Sequence, residues 1–134
     1  MALLDLILLM SAAGAAPTAP DTYVCMTKAT DEPGYQRCNA EQLAHLEAKL
    51  DASLRKLQDR VSREGNSKSL AALNAEQRAW RTYQRKACQL FWQGNYGTDQ
   101  RWLDGPACQA RVLETRIEAL EATFAALDPD NMGY

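Results

Sequence analysis

A stripe of apolar residues predicts a long amphipathic helix over residues 39–63. The stripe advances in steps of three or four and consists of Leu43, Leu46, Leu50, Leu54, Leu57 and Val61. This spacing keeps the side chains on one side of a helix. Asn39 and Gln42 have the spacing of a capping box at a helix start, and Gly65 is typical of a helix end. The first predicted helix therefore begins at Asn39, with Cys38 just before its first turn.

A second stripe predicts another long helix after a short connection. This helix begins near Ser67 or Ser69, which are good N-cap residues, and ends near Trp92. Its inward positions are Leu70, Leu73, Gln77, Trp80, Tyr83 or Gln84, Ala87 and Phe91. The pattern places Cys88 in the last turns of this helix.

The third stripe begins after a segment rich in glycine and aromatic residues. Asp104, Gly105 and Pro106 mark the start, because proline is tolerated in the first helical turn. The apolar positions that follow, as far as Pro129, are Val112, Leu113, Ile117, Leu120, Phe124 and Leu127. No segment alternates between apolar and polar residues at every second position, so no strand is predicted.

These elements predict an all-α fold, an antiparallel three-helix bundle in one domain. An N-terminal segment, residues 16–38, is expected to be tethered by a disulfide, and a second disulfide is expected to close the loop between the second and third helices. The helical domain covers residues 39–128, and a tail of residues 129–134 follows.

The first 15 residues have the pattern of a secretory signal peptide. An apolar run from Leu3 to Met10 is followed by small residues, and Ala13 and Ala15 satisfy the A-x-A cleavage rule. No Lys or Arg precedes the run and Asp5 interrupts it, so a frayed apolar N-terminus is the alternative. The run is too short to span a bilayer. We therefore expect a secreted or periplasmic protein without a membrane span.

Four cysteines in an exported chain favour two disulfides over a metal site. No C-x-x-C pair occurs, and His45, the single histidine, has no ligand partner at the usual spacing. Bundle geometry leaves three pairings open. We prefer Cys25 with Cys38 and Cys88 with Cys108, because each closes a short local loop and contributes on the order of 3 kcal/mol to stability.

The residues around Trp80 carry a family resemblance. Leu73, Gln77, Trp80 and Tyr83, followed by Cys88, resemble the signature of the LprI/YecT-like family of small exported bacterial proteins. Cys108, Arg116 and Leu120 follow with the family's C-x7-R-x3-L spacing, and the resemblance extends from Cys25 to Phe124. The sequence departs from the family pattern at Asp51, Leu54, Gln84 and Arg85, and it lacks the family's Gly-Gly-Ser loop motif.

The resemblance implies an exported helical protein, and LprI itself is described as a lysozyme inhibitor. We interpret Leu73, Gln77, Trp80, Tyr83, Arg116 and Leu120 as framework residues of this family. Trp80 is expected to fill the core, with the Gln77 amide hydrogen-bonded beside it.

Composition and motifs argue against several other function classes. A formal net charge of -2 does not favour nucleic acid as a partner. No nucleophile with an orienting base, no phosphate-binding loop and no metal-ligand cluster can be identified, so neither an enzyme nor a cofactor is predicted. Charge is nevertheless uneven. A basic run that includes Arg78 and Arg81 precedes an acidic region from Glu114 onward. Either both regions are solvated helix faces, or the acidic region is a patch that meets a basic partner.

The segment between Cys88 and Cys108 holds the candidate binding residues. Tyr96 and Trp102 are its aromatic residues outside the predicted helices, and Asp99 and Asp104 supply polar contacts. They either pack over the end of the bundle or bind a protein partner. The sequence hypothesis is an inhibitor that blocks lysozyme sterically with this loop; the alternative is a structural or stress-related envelope protein without lysozyme activity. The oligomeric state stays open.

Overall fold

The computed structural model describes residues 22–94, 97, 100–127 and 130. All regular elements within these residues are helical. They are α1 (Thr22–Lys28), α2 (Glu32–Arg63), α3 (Ser67–Lys86), α4 (Leu90–Gln93), a π-helical turn (Gln100–Asp104) and α5 (Gly105–Ala126). The all-helical class is confirmed, but α1, α4 and the π-helical turn are additions to the three helices predicted from the sequence. The predicted signal peptide, residues 1–15, lies outside the described residues.

The predicted start of the first helix at Asn39 is wrong, because α2 begins at Glu32. Asp31 is its N-cap residue, and the Asp31 carboxylate accepts a hydrogen bond from the Gly34 amide at 2.9 Å. Pro33 stands in the first turn, where no intrahelical N–H bond is lost. Cys38 and Asn39 therefore lie inside α2, which runs through the predicted boundary between residues 38 and 39.

The junction between α2 and α3 agrees with the sequence prediction. Gly65 adopts a left-handed conformation with φ of 71°, just beyond the end of α2. Asn66 then caps α3, since its side-chain oxygen accepts hydrogen bonds from the amides of Lys68 and Ser69 at 3.1 and 3.2 Å. This pair of residues ends one helix and starts the next within a single tight turn.

The second predicted helix is too long, because α3 ends at Lys86 and not near Trp92. Cys88 has φ of 69° and is the one non-glycine residue with positive φ in the described part of the chain. This conformation costs an ordinary residue roughly 1–2 kcal/mol and cannot continue a right-handed helix. The chain turns there and starts α4, so Phe91 and Trp92 belong to a separate short helix.

The apolar core lies between the three long helices. Its buried members are Leu46, Leu50, Leu57, Val61, Leu73, Ala110, Leu113, Ile117 and Leu120. Six further apolar side chains pack around them, among them Leu43, Leu54 and Trp80. Because α2 contributes four core residues and α5 contributes another four, the α2–α5 contact is the main packing interface.

Polar contacts between the helices follow a consistent order along the chain. Gln58 donates to Asn74 at 2.8 Å and Arg81 to Glu47 at 2.7 Å, so late residues of α2 meet early residues of α3. Between α2 and α5, in contrast, the earlier residue of α2 contacts the earlier residue of α5, and the later residue contacts the later one. Ser53 donates to Glu121 at 3.3 Å, and Arg60 donates to the Leu127 carbonyl at 2.6 Å.

Both predicted disulfides are confirmed. Cys25–Cys38 joins α1 to α2, with Cα atoms 5.7 Å apart. Cys88–Cys108 joins the turn after α3 to the first turn of α5, with Cα atoms 5.8 Å apart. None of the helices in the described ranges is long and apolar enough to cross a membrane.

Candidate functional site

The candidate binding residues lie in the segment closed by the Cys88–Cys108 disulfide. We call residues 88–108 the bridged segment; it includes α4 and the π-helical turn. Trp102 and Asp104 belong to its described part. Tyr96 and Asp99, the other two candidates from the sequence, lie outside the described residues.

Trp102 is anchored to α2 through its backbone. The Asn39 side-chain amide donates a hydrogen bond to the Trp102 carbonyl at 2.8 Å, and Asn39 itself is buried. The Trp102 side chain is half-buried, so only part of its ring is available to a partner. Asp104 is exposed and makes no capping hydrogen bond to α5, which leaves its carboxylate accessible.

Trp92 packs against the start of α5. A Cβ atom added at Gly105 would lie 2.7 Å from Cζ2 of the Trp92 ring, which is closer than van der Waals contact allows. Only glycine lets the indole approach the helix backbone this closely. The aromatic enrichment of this segment is therefore partly explained by packing, since Trp92 joins α4 to α5.

Two exposed leucines in the bridged segment were not predicted from the sequence. Leu90 of α4 is 59% exposed and Leu103 of the π-helical turn is 46% exposed. The periodicity of the second stripe continues through residue 91, and it gave no sign that the helix breaks at Cys88. Large apolar side chains that stay in water are candidates for contact with a protein.

The sequence leaves open whether Tyr83 or Gln84 occupies one inward position of α3. The structure places Gln84 there, half-buried, whereas Tyr83 is 58% exposed. Gln84 donates to Glu47 at 2.7 Å and accepts from Arg81 at 2.8 Å. The exposed Tyr83 ring is thus a surface feature of the family signature.

Arg81 links two positions at which the sequence departs from the family pattern. Its guanidinium contacts Glu47 at 2.7 Å and Asp51 at 3.3 Å, in addition to Gln84. Asp51 and Gln84, two of the positions singled out from the sequence, contact the same side chain. These residues therefore form one polar network between α2 and α3.

Arg116 and Gln77, both predicted from the sequence to be framework residues, form a buried pair. The Arg116 Nε donates to the Gln77 side-chain oxygen at 3.0 Å, and Nη1 donates to Glu76. The Arg116 guanidinium lies 5.8 Å from the centre of the Trp80 ring. Trp80 is half-buried and packs at the edge of the core, so it does not fill the core as fully as expected.

A groove lies where α2, α3 and α5 meet beside the disulfide. It has a volume of about 380 Å³ and is partly open to solvent. Its lining includes Leu43, Val112, Leu113, Glu47, Gln84 and Cys88. We call it the Cys88 groove.

The acidic region of α5 has a definite arrangement. Glu114 and Glu118 are exposed, whereas Arg116 between them is buried and contacts Gln77 and Glu76 of α3. Glu121 accepts a hydrogen bond from Ser53. Among the described residues no cluster of histidine, cysteine, aspartate or glutamate is arranged to hold a metal ion.

Comparison with known families gives one result. A family model described as "Lysozyme inhibitor LprI" matches residues 25–120, which include both disulfides and the Arg116–Gln77 pair. Comparison with curated proteins and with solved structures finds no match.

Proposed function

The chain belongs to the lysozyme inhibitor LprI family, and we propose that it is an exported, non-enzymatic binding protein that inhibits lysozyme. The family match over residues 25–120 is the observation that carries this proposal. Two disulfides support an oxidising location, the periplasm or the exterior, because disulfides persist there and are rare in the cytosol. Residues 1–15 would then act as the signal peptide.

We also infer that α2, α3 and α5 form an antiparallel three-helix bundle. The order of the contacts supports this arrangement, since late residues of α2 meet early residues of α3. Such a bundle gathers the end of α3 and the start of α5 at one end, where the bridged segment connects them. A rigid scaffold then presents one surface to the partner.

The inhibitor acts sterically, with the bridged segment lying over the lysozyme cleft. Leu90, Leu103 and the exposed part of Trp102 are the apolar contacts, and Asp104 is a polar contact. Tyr96 and Asp99 remain candidates from the sequence. The disulfide and the Asn39 hydrogen bond restrain the segment before binding, so less conformational entropy is lost when the complex forms.

A lysis assay tests this function directly. Purified oxidised protein is added to lysozyme acting on bacterial cell walls, and the decrease in turbidity is followed. We expect dose-dependent protection. Replacing Leu90 and Leu103 by Asp is expected to weaken inhibition about tenfold or more, because charges would be buried at the contact.

The matched control is the double variant Ala71→Asp with Ala72→Asp, which adds the same two charges at exposed positions of α3 outside the bridged segment. It is expected to leave inhibition unchanged. Equal inhibition by the leucine variant and the control would refute loop-mediated blocking. Full absence of protection by the folded wild-type protein would instead favour the alternative, an envelope interaction protein whose exposed leucines bind another component.

A further inference from the structure

The two disulfides differ in how accessible they are. Cys38 lies inside α2 and is only 2% exposed, although its partner Cys25 is half-buried. Cys88 and Cys108 are both half-buried, and Cys88 lines the groove that opens to solvent. A reagent can therefore approach one bridge through the Cys88 groove, whereas one half of the other bridge is sealed.

The chemistry of thiol–disulfide exchange adds to this difference in accessibility between the two disulfides. An attacking thiolate must reach one sulfur and expel the other as a thiolate. Attack on Cys88 expels Cys108, which is half-buried, so the Cys108 thiolate forms where water can solvate it. Attack on Cys25 would expel Cys38 as an anion in a solvent-excluded position, which is unfavourable.

The accessible bridge also restrains the candidate binding surface. It holds Cys88 in a left-handed conformation and ties the start of the bridged segment to α5. Other described ties of this segment include the hydrogen bond from Gln89 to the Arg85 carbonyl, the Asn39 hydrogen bond to Trp102 and the contact of Trp92 with Gly105. No member of the buried core cluster lies in α4 or the π-helical turn.

We propose that Cys88–Cys108 is a reducible bridge through which a dithiol reductant releases the bridged segment and weakens inhibition, while Cys25–Cys38 stays oxidised. The effect on inhibition rests on the proposed function. One thiolate of the reductant attacks Cys88, forms a mixed disulfide and expels the Cys108 thiolate. Its second thiol then displaces Cys88. Two electrons are transferred, the reductant becomes a disulfide, and Cys88 and Cys108 each end as a thiol.

Selective reducibility is tested by limited reduction of the wild-type protein. The protein is treated with low dithiothreitol, alkylated at successive times and analysed by peptide mapping. We expect Cys88 and Cys108 to be alkylated about tenfold faster than Cys25 and Cys38. Equal rates, or faster alkylation of Cys25 and Cys38, would overturn the proposal.

The functional effect is measured on the partly reduced, alkylated protein and on the double variant Cys88→Ser with Cys108→Ser. Both are expected to keep the helical circular dichroism of the oxidised protein and to inhibit lysozyme at least about tenfold less well. The control is oxidised protein exposed to the alkylating reagent alone. Unchanged inhibition after reduction of this bridge would refute its regulatory role. Failure of the oxidised wild type to inhibit would refute the proposed function, and the alkylation rates would still decide selective reducibility.

Discussion

The Arg116–Gln77 pair makes the sharpest prediction about stability. The Arg116 side chain is 8% exposed, and its Nε hydrogen bond to Gln77 at 3.0 Å is buried. Nη2 of Arg116 and the side-chain nitrogen of Gln77 are buried without a hydrogen-bond partner, whereas Nη1 of Arg116 donates to Glu76. Removing either partner leaves a buried polar group unpaired.

We expect Gln77→Leu to destabilise the protein by about 2–3 kcal/mol, because the buried, charged guanidinium of Arg116 loses the acceptor of its Nε hydrogen bond. The value lies below the ~3–5 kcal/mol typical of a broken buried ion pair, since the Glu76 contact is retained. Arg116→Met should cost about 2 kcal/mol, since it leaves the Gln77 oxygen unpaired. The double variant leaves neither side chain of the pair unpaired. Its loss of stability should therefore be at least about 1 kcal/mol smaller than the sum of the losses of the two single variants.

Urea denaturation followed by far-ultraviolet circular dichroism measures these free energies with the disulfides intact. Glu114→Gln is the control, because it neutralises an exposed carboxylate on the same helix as Arg116. Surface substitutions of this kind usually change stability by less than about 0.5 kcal/mol, so this variant should remain close to wild type. Additivity of the two core substitutions within about 0.5 kcal/mol would refute the coupling. So would a Gln77→Leu cost no larger than that of the control.

Two further predictions concern the anchoring of the bridged segment. Gly105→Ala should destabilise the protein by about 1–3 kcal/mol in the same urea assay, because the added methyl group would overlap the Trp92 ring; adding Trp92→Leu should recover part of this loss, and no recovery would contradict the steric explanation. Asn39→Ala removes the bond to the Trp102 carbonyl and should raise amide hydrogen exchange in residues 100–104 more than in the middle of α2. Equal changes in the two regions would indicate a general loss of stability instead.

Apolar periodicity was a good guide to the existence of the long helices and a poor guide to their ends. The start of α2 was missed because residues 32–38 lack an apolar stripe, although Asp31 and Pro33 are recognisable N-terminal signals. The end of α3 was missed for the opposite reason. The apolar pattern continues past Lys86, but Cys88 is held in a conformation that no helix can include.

The sequence by itself determined the all-helical class and the family, and it favoured, among three possible pairings, the disulfide pairing that the structure has. These follow from spacings within one helix, from the two short loops that the bridges close, and from a local signature. Only the tertiary structure decided which side chains at the bridged segment face solvent and which are anchored. The Asn39–Trp102 and Arg116–Gln77 contacts join residues 63 and 39 positions apart. Such contacts depend on how the helices pack, and a one-dimensional pattern records only the side of a helix on which a residue lies.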